Sequence, residues 1–158
     1  MEKQKTTDEL RLESYLLENT PDRIVNRYEG LATYAQNHTF GVLDKSVVVI
    51  DTETTGFSFN HDELIQIAAA RMTDGEITDW YITFVNPGKP IPDEVAHLTN
   101  IHDEDVADAP DPDTALEQLV EFVGDSYLVA HNANFDRTFV TKREAGASLK
   151  ENIWVDSL

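Results

Sequence analysis

The stretch VVVIDTETTGF, from Val47 to Phe57, decides the fold because four β-branched residues lead straight into two acids spaced by one. The segment SVVVID is too short and too β-branched for a helix, and its unbroken apolar character predicts a central strand covered on both faces. Side chains alternate between the faces of a strand, so Asp51 and Glu53 project to the same side. Because neighbouring carboxylates repel each other unless they share a cation, the pair predicts half of a Mg²⁺ site.

A glycine and a third acid strengthen this interpretation. Gly56 comes soon after the two acids, where a glycine lets the backbone approach a phosphate closely or turn sharply off the strand. Far along the chain, the segment HNANFD predicts a helix with Asn134 as its N-cap and Asp136 in its first turn. A third carboxylate therefore arrives after a strand. The D-x-E spacing alone also fits an acidic strand end that points into water.

The composition limits the class of protein. The chain has 158 residues, of which 41% are hydrophobic, which is enough for one domain with a proper core. No apolar run approaches the roughly 20 residues that span a bilayer, and the N-terminus lacks a signal-peptide pattern, so we expect a cytoplasmic protein with no membrane partner. The chain has no cysteine, so a metal would be held by oxygen or histidine, which favours Mg²⁺ or Mn²⁺.

The charge distribution argues at first against a nucleic-acid partner. The net charge is -18, and residues 46–158 carry six basic and 22 acidic side chains. From Pro90 to Asp136 the chain has no Lys or Arg. Nucleic acids are usually held by basic patches. Either this protein avoids polyanions, or it holds them locally through bound cations.

The remaining pattern predicts an α/β fold. Apolar residues at spacings of three and four predict two amphipathic helices in residues 1–45, a helical N-terminal extension that packs on the following domain or on a partner. Two further strands joined by an Asp-Gly turn predict an antiparallel meander with the first strand. The order βββ-α-β-α then predicts a mixed sheet covered by helices. The predicted elements after the first strand are strands Leu64 to Met72 and Ile77 to Val85, a short helix near Glu94 to Leu98, a helix ending at Gly124, the strand SYLVAH, and a helix ending at Gly146.

The motifs VVVIDTETTG and LVAHNANFD together resemble the DEDD superfamily of 3'-5' exonucleases, in its DEDDh branch. Within that branch, the chain is similar to the proofreading exonuclease of bacterial DNA polymerase III, either the epsilon subunit or the PolC-type exonuclease domain. The resemblance covers residues 46–158, which we assign as the exonuclease domain. It implies a ribonuclease H-like fold. It also implies an enzyme that removes nucleotides from the 3' end of single-stranded DNA, with a replicative polymerase as a possible partner.

The resemblance also implies roles for individual residues. Two divalent ions would clamp the scissile phosphate, one activating water and the other stabilising the leaving 3' oxygen, so solvent cations would do the work of Lys and Arg. The 3' end of the single-stranded DNA would be held more by stacking and wedging than by a basic groove. The implied metal ligands are Asp51, Glu53 and Asp136; the implied contacts to the terminal nucleotide are Glu94 and Thr99, with Leu98 as a wedge and Thr54, Thr55, Phe57, Asn132 and Phe135 lining the pocket.

The chain departs from the family pattern near Leu158. Family members continue past a segment like WVDSL, residues 154–158, into helices that supply a general-base histidine and, five residues later, a fourth aspartate. None of the five histidines fits that role, and Asp156 is interpreted as a cap or loop acid. We therefore expect a C-terminally incomplete domain with weak or no activity, uncovered apolar surface on its sheet and a tendency to self-associate. The five histidines are His38, His61, His97, His102 and His131.

Two other functions fit the same motifs. An RNA-trimming relative would use the same carboxylates, and discrimination would depend on contacts to the 2'-hydroxyl. Alternatively, the chain is a non-catalytic docking module for a polymerase. An H-x4-D pattern downstream of Leu158 in the gene would favour the enzyme over the docking module.

Overall fold

The computed structural model describes residues 46–73 and 75–158, so the two helices predicted in residues 1–45 lie outside the described residues. The described chain is built on a five-stranded sheet with the order β3-β2-β1-β4-β5. The strand that begins at Val47 is therefore central, as predicted. The strands are β1 Val47–Thr54, β2 Leu64–Thr73, β3 Glu76–Phe84, β4 Tyr127–Ala130 and β5 Trp154–Asp156.

The pairing directions confirm the predicted mixed sheet. β1 and β2 are antiparallel, and so are β2 and β3, which gives the predicted meander. β4 is parallel to β1, and β5 is parallel to β4. Gly75 in the β2–β3 turn has a φ of 81°, a conformation that glycine adopts without steric cost. β5 was not predicted, because three residues carry too little pattern to identify a strand.

Within residues 46–73 and 75–158, four α-helices and a 3₁₀-helix connect and cover the strands. The long helix begins with Asp111, whose carboxylate accepts hydrogen bonds from the N–H groups of Asp113 and Thr114. It ends at Gly124, as the sequence predicts. The short second helix was not predicted. The helices are α1 Asp93–Thr99, α2 Asp103–Val106, α3 Pro112–Val123 and α4 Ala133–Thr141, followed by the 3₁₀-helix Glu144–Lys150.

Two details of α4 correct the sequence prediction. The helix ends at Thr141 and not at Gly146, because the chain leaves the α-helix and forms the 3₁₀-helix instead. Its N-cap is Asn132 and not Asn134. Asn132 has a φ of 58°, in the left-handed region that asparagine tolerates better than most residues, so the chain turns sharply from β4 into α4.

The main core lies between one face of the sheet and the helices α3 and α4. Val48 and Ile50 of β1 are buried there together with Leu116 and Phe139. The Tyr81 hydroxyl donates a hydrogen bond of 2.8 Å to the carbonyl oxygen of Ala115, so it ties β3 to α3. Burial raises the pKa of Tyr81 to about 12. A second, smaller cluster lies under α1 and α2 and contains Ile65, Ile91, Ile101 and Val106.

The opposite side of the sheet exposes large apolar side chains, and we call it the open face. Val49 is 39% exposed, while Trp80 and Ile82 are each 60% exposed. The ladder places Val49, Ala70 and Trp80 in one row across three strands. The prediction that β1 is covered on both faces is therefore wrong for the described residues, whereas the predicted uncovered apolar surface is present. Its exposed apolar members are Val49, Ile77, Trp80, Ile82, Phe84 and Val155. Among the helices that the structure describes, none has the length and apolar character needed to cross a membrane.

Gly146 provides a stability test of the turn after α4. A Cβ at this position would lie 1.8 Å from the carbonyl oxygen of Val140, which is a backbone atom and cannot move away cheaply. We expect Gly146→Ala to lower the free energy of unfolding by about 2 kcal/mol or more, as overpacking in a core does. Urea denaturation measures this value. Ser148→Ala, an exposed change in the same 3₁₀-helix, should stay within about 0.5 kcal/mol of the original chain; equal effects would contradict the steric explanation.

Candidate metal centre

The three predicted acids lie in the second half of β1 and in the first turn of the helix that follows β4. Asp51 and Glu53 are on the side of β1 that belongs to the open face, since their neighbours Val48, Ile50 and Thr52 point into the helix-covered side. Asp136 is in the first turn of α4, directly after β4. Because β1 and β4 run parallel, both deliver these acids to the same edge of the sheet, where ligands commonly bind in open α/β sheets.

Asp136 is a buried carboxyl group held from the helix-covered side. It is only 3% exposed, and the Thr52 hydroxyl donates a hydrogen bond of 2.8 Å to its Oδ1 atom. Burial raises the pKa of Asp136 to about 6, and the negative charge of Asp51 adds to this rise. The hydrogen bond from Thr52 acts in the opposite direction but does not outweigh burial.

Asp51 connects the other two acids electrostatically. Burial raises the pKa of Glu53, and repulsion from Asp51 raises it further. Asp51 thus opposes the ionisation of Glu53 and of Asp136 at once. A divalent cation would relieve this repulsion, and carboxylate oxygens are the ligands that Mg²⁺ and Mn²⁺ prefer. The donor set therefore suits the predicted metal.

The acids interact through their charges, but their side chains do not form a compact metal-binding group. Across residues 46–73 and 75–158, no three Asp, Glu or His side chains are grouped closely enough to hold one metal ion together. The carboxylates are brought within range of each other's charge but not into a finished cluster. Metal binding at this edge of the sheet would require Asp51 and Glu53 to move toward Asp136, which is buried and held by Thr52.

The residues after Glu53 form a braced loop. The Thr54 hydroxyl donates to the carbonyl oxygen of Gly56 at 2.6 Å, and the Thr55 hydroxyl donates to Asp62 at 2.9 Å. A Cβ on Gly56 would lie 2.5 Å from the Asp62 carboxylate. Gly56 is therefore required because the Asp62 side chain packs against it. The predicted approach of the Gly56 backbone to a phosphate stays a prediction. Both threonines are buried, with their hydroxyls engaged inside the loop.

The aromatic residues predicted to line the pocket lie against each other. Phe57 is 82% exposed, and its ring centroid is 6.1 Å from that of Phe135 in an edge-to-face arrangement. Phe135 immediately precedes Asp136 in α4. Asn132 is exposed and forms the left-handed N-cap of α4. Asn132 and Phe135 therefore belong to the start of the helix that carries Asp136, and Phe57 contacts Phe135; their role in a nucleotide pocket stays a prediction.

The residues of the predicted nucleotide contact are on α1. Leu98 is 80% exposed and belongs to neither core cluster, so it does not anchor the loop by burial. Glu94 is also exposed. The Thr99 hydroxyl donates to the carbonyl oxygen of Val95 at 2.9 Å and accepts a hydrogen bond from the Ile101 N–H. An exposed leucine next to a fixed threonine suits a wedge, but the contact of Leu98 and Thr99 with substrate stays a prediction.

The histidines in the described residues and Asp156 have simple structural surroundings. His61, His97, His102 and His131 are all exposed. Asp156 is the last residue of β5, and its carboxylate accepts hydrogen bonds from the N–H groups of Leu158 and Asn132. The bond from Leu158 is the first cause of the lowered pKa of Asp156, which burial only partly opposes. Asp156 is therefore a strand acid that also caps the start of α4. The position of His38 lies outside the described residues.

Sequence reasoning missed two residues that organise the site. Thr52 was overlooked because it lies between the two acids, although a hydroxyl on the buried side of a strand requires a hydrogen-bond partner. Asp62 was overlooked in a polar loop, where its partners cannot be read from spacing. Burial would raise the pKa of Asp62, but hydrogen bonds from the Ser58 N–H and the Thr55 hydroxyl, together with Lys89, lower it.

A mixed sheet with acids at the end of its central strand is the architecture of ribonuclease H-like exonucleases. Residues 48–147 match the RNase_T exonuclease family. The chain is 40% identical over 144 residues to DNA polymerase III PolC-type of Clostridium perfringens, covering 90% of this chain and 9% of that protein. It is 38% identical over 117 residues to DNA polymerase III PolC-type of Bacillus cereus, covering 73% of this chain and 8% of that protein. The chain belongs to the RNase_T exonuclease family and is a DEDD exonuclease related to the proofreading exonuclease of DNA polymerase III.

Solved structures share this fold. Exonuclease X in complex with 5' overhanging duplex DNA superposes with a TM-score of 0.52 at 27% identity, covering 70% of this chain and 58% of that chain. E. coli exonuclease I in complex with a dT13 oligonucleotide gives a TM-score of 0.60 at 16% identity, covering 71% of this chain and 28% of that chain. The second likeness concerns the fold alone. The chain spans less than a tenth of the length of the PolC-type relatives.

The buried Asp136 carboxyl generates a prediction about pH. Its pKa is about 6 in the folded chain against an ordinary value of 3.8, so the folded state holds this proton more tightly. The stability it contributes is present below about pH 4 and is lost as the pH rises through 6. In metal-free buffer with a chelator, Asp136→Asn should therefore stabilise the chain above pH 7 by about 2–3 kcal/mol and flatten this pH dependence.

Denaturation curves at pH 4, 6 and 8 measure the effect of this substitution. The matched control is Asp108→Asn, which removes one exposed charge on the short turn after α2. An Asp136→Asn chain that is less stable than the original at pH 8 would show that the buried carboxylate is better satisfied than its surroundings indicate.

Proposed function

We propose that the domain removes nucleotides from the 3' end of single-stranded DNA by metal-dependent phosphodiester hydrolysis, as a proofreading exonuclease in DNA replication. The observation that carries this proposal is the electrostatic coupling of Asp51 to Glu53 and Asp136 at the ends of two parallel strands. Asp51 repels each of the other two acids, and such an arrangement has no structural benefit without a cation. A replication role agrees with the predicted cytoplasmic location.

The acids divide into two groups by their surroundings. Asp136 is fixed by Thr52, so it is the rigid oxygen donor against which an incoming ion is placed. Asp51 is exposed and Glu53 is half-buried, so both can adjust their position on binding. The chemistry that two bound divalent ions supply is activation of a water molecule and stabilisation of the leaving 3' oxygen. Asp51, Glu53 and Asp136 would hold them.

DNA is favoured over RNA by the relatives, and the exposed rings offer an acidic domain a way to hold a nucleic-acid strand. The PolC-type relatives are DNA polymerases by name, and exonuclease X was solved with DNA. The exposed Phe57 ring beside Phe135 offers a surface on which a base can stack without any basic groove, since stacking needs only the face of a base. This resolves the conflict between the acidic domain and a polyanionic substrate. A replicative polymerase remains the proposed partner.

Hydrolysis of labelled oligonucleotides tests this function. With Mn²⁺, a 5'-labelled single-stranded DNA should give a ladder of products shortened from the 3' end, and Asp51→Ala should abolish it because one metal ligand is lost. Asp108→Asn serves as the control. RNA of the same sequence and a 3'-labelled DNA complete the set. Preferential shortening of RNA would favour the RNA-trimming alternative, and persistence of activity in Asp51→Ala would exclude this residue from the site.

We expect the 158-residue chain to be slow by itself. The family resemblance implies a general-base histidine and a fourth aspartate, and none of the histidines in this chain fits the first role. A positioned general base typically contributes about 10²- to 10⁴-fold in rate. The rate of the chain should therefore fall below that of a family member that has both residues by at least this factor. Equal rates would show that another residue supplies the base.

The open face should mediate self-association of the chain. Its apolar residues span three neighbouring strands, and contiguous exposed apolar surface of this kind favours association. We expect Trp80→Lys to shift the chain from oligomer to monomer, because a charge within this apolar surface resists burial. Sedimentation velocity at several concentrations measures the state. Ala107→Lys, which adds the same charge at an exposed site after α2, should leave the distribution unchanged; a purely monomeric original chain would contradict the expectation.

A further inference from the structure

The segment between β1 and β2 presents Phe57 on a braced loop, which we call the Phe57 loop, residues 55–63. Asp62 closes it from within, accepting hydrogen bonds from the Thr55 hydroxyl at 2.9 Å and from the Ser58 N–H at 2.9 Å. Side chains outside the loop contact the Phe59 ring and the backbone carbonyls of Phe59, His61 and Asp62. The position of the loop relative to α4 therefore depends on these contacts.

Besides Lys89, whose ammonium donates to the carbonyl oxygen of His61 and to the Asp62 carboxylate, Lys142 attaches the loop from outside. It is the C-cap residue of α4, and its ammonium donates hydrogen bonds to the carbonyl oxygens of Phe59 and Asp62. The same ammonium lies 3.2 Å from a carboxylate oxygen of Glu63 and 5.1 Å from the centre of the Phe139 ring. The side chain is only 17% exposed. A charge this enclosed, with acceptors on the loop backbone, fixes the loop to the helix.

The other end of α4 contacts the same loop through aromatic rings. Phe135 lies 6.1 Å from Phe57 and 6.0 Å from Phe59, measured between ring centroids. Phe59 also contacts Phe139 at 5.1 Å. The helix that carries Asp136 therefore holds the Phe57 loop at two points, by rings near its N-terminus and by an ammonium at its C-terminus.

We propose that Lys142 is a positioning residue for single-stranded DNA, which acts by holding the Phe57 loop against α4 so that the Phe57 ring is set for stacking on a base beside the acids. The proposal rests on the proposed function, because it needs a single-stranded substrate at this edge of the sheet. Its physical basis is preorganisation: a loop already fixed in the binding conformation loses less conformational entropy when the base stacks.

Lys142 can be replaced without leaving a buried charge alone. Glu63 keeps a second cation, since the Arg143 guanidinium lies 3.1 Å from its other carboxylate oxygen. Methionine retains most of the length and the apolar contact with Phe139 but donates no hydrogen bond. The change Lys142→Met thus removes the attachment to the Phe59 and Asp62 carbonyls more selectively than a truncation would.

Binding of a short fluorescein-labelled oligothymidylate to the 158-residue chain, followed by anisotropy with Ca²⁺ in place of Mn²⁺, tests the proposal. Lys142→Met should raise the dissociation constant by about three- to tenfold, the range expected for releasing one or two fixed side chains. Lys142→Arg should restore most of the affinity. The control Lys150→Met removes the same charge at an exposed position of the 3₁₀-helix and should change binding by less than about twofold.

A double-mutant cycle with Phe57→Ala separates positioning from a direct contact. In the Phe57→Ala background, Lys142→Met should have less than about a twofold effect, because the two residues act through one loop. The dependence of the dissociation constant on salt should also stay unchanged, whereas loss of a direct phosphate contact would reduce the salt slope by about one. Thermal unfolding of each variant is recorded in parallel, and Lys142→Gln replaces Lys142→Met if the latter does not fold.

The outcomes distinguish this inference from the proposed function. Equal losses in both backgrounds, a reduced salt slope, or no change in affinity on replacing Lys142 would overturn the positioning role alone. Absence of binding by the unsubstituted chain would overturn the proposed function and this inference together. Weaker binding by Phe57→Ala, with Lys142→Met costing affinity only when Phe57 is present, is the result that supports both.

Discussion

The burial of the Asp136 carboxyl beside β1 is the constraint on which the site depends. A carboxyl removed from water needs partners, and Thr52 provides one from the helix-covered side of the strand. Asp51, the residue before Thr52, faces the other side of the strand and affects Asp136 only through its charge. One strand thus presents a hydrogen-bond donor to α4 on one side and acids to the open face on the other. β1 must be central for this to happen, because it needs α4 and β4 on one side and β2 on the other.

Much of the fold could be predicted because its signals are local. The β-branched run of β1 and the Asp-Gly turn after β2 are short-range patterns, and both gave the correct elements. The stop at Gly124 gave the end of α3 in the same way, whereas the N-cap at Asp111 was not predicted. The three acids were found by strand alternation and by their place after a strand. The identification of the family required both motifs, since the spacing of Asp51 and Glu53 alone also describes a solvated strand end.

What could not be predicted depends on contacts that are distant along the chain. Lys142 donates a hydrogen bond to the carbonyl oxygen of Asp62, which is 80 residues away. No sequence pattern around either residue predicts this contact. The early end of α4 at Thr141 depends on close packing of Gly146 against the Val140 backbone, which no periodicity encodes. Val49 is exposed because no helix of the described residues covers that side of the sheet. An apolar run shows that a strand can be covered and not that it is.

The hydrogen bond from the Asn132 N–H to Asp156 has a consequence for the order in which the domain assembles. A chain folding during synthesis emerges N-terminus first. The acids of β1 are available early, and α4 can form as soon as its own residues emerge. The start of that helix, however, is capped by a residue 24 positions further on, at the end of β5. Final placement of Asp136 must therefore wait for β5, so the centre reaches its native arrangement only after residues well beyond its own acids have emerged.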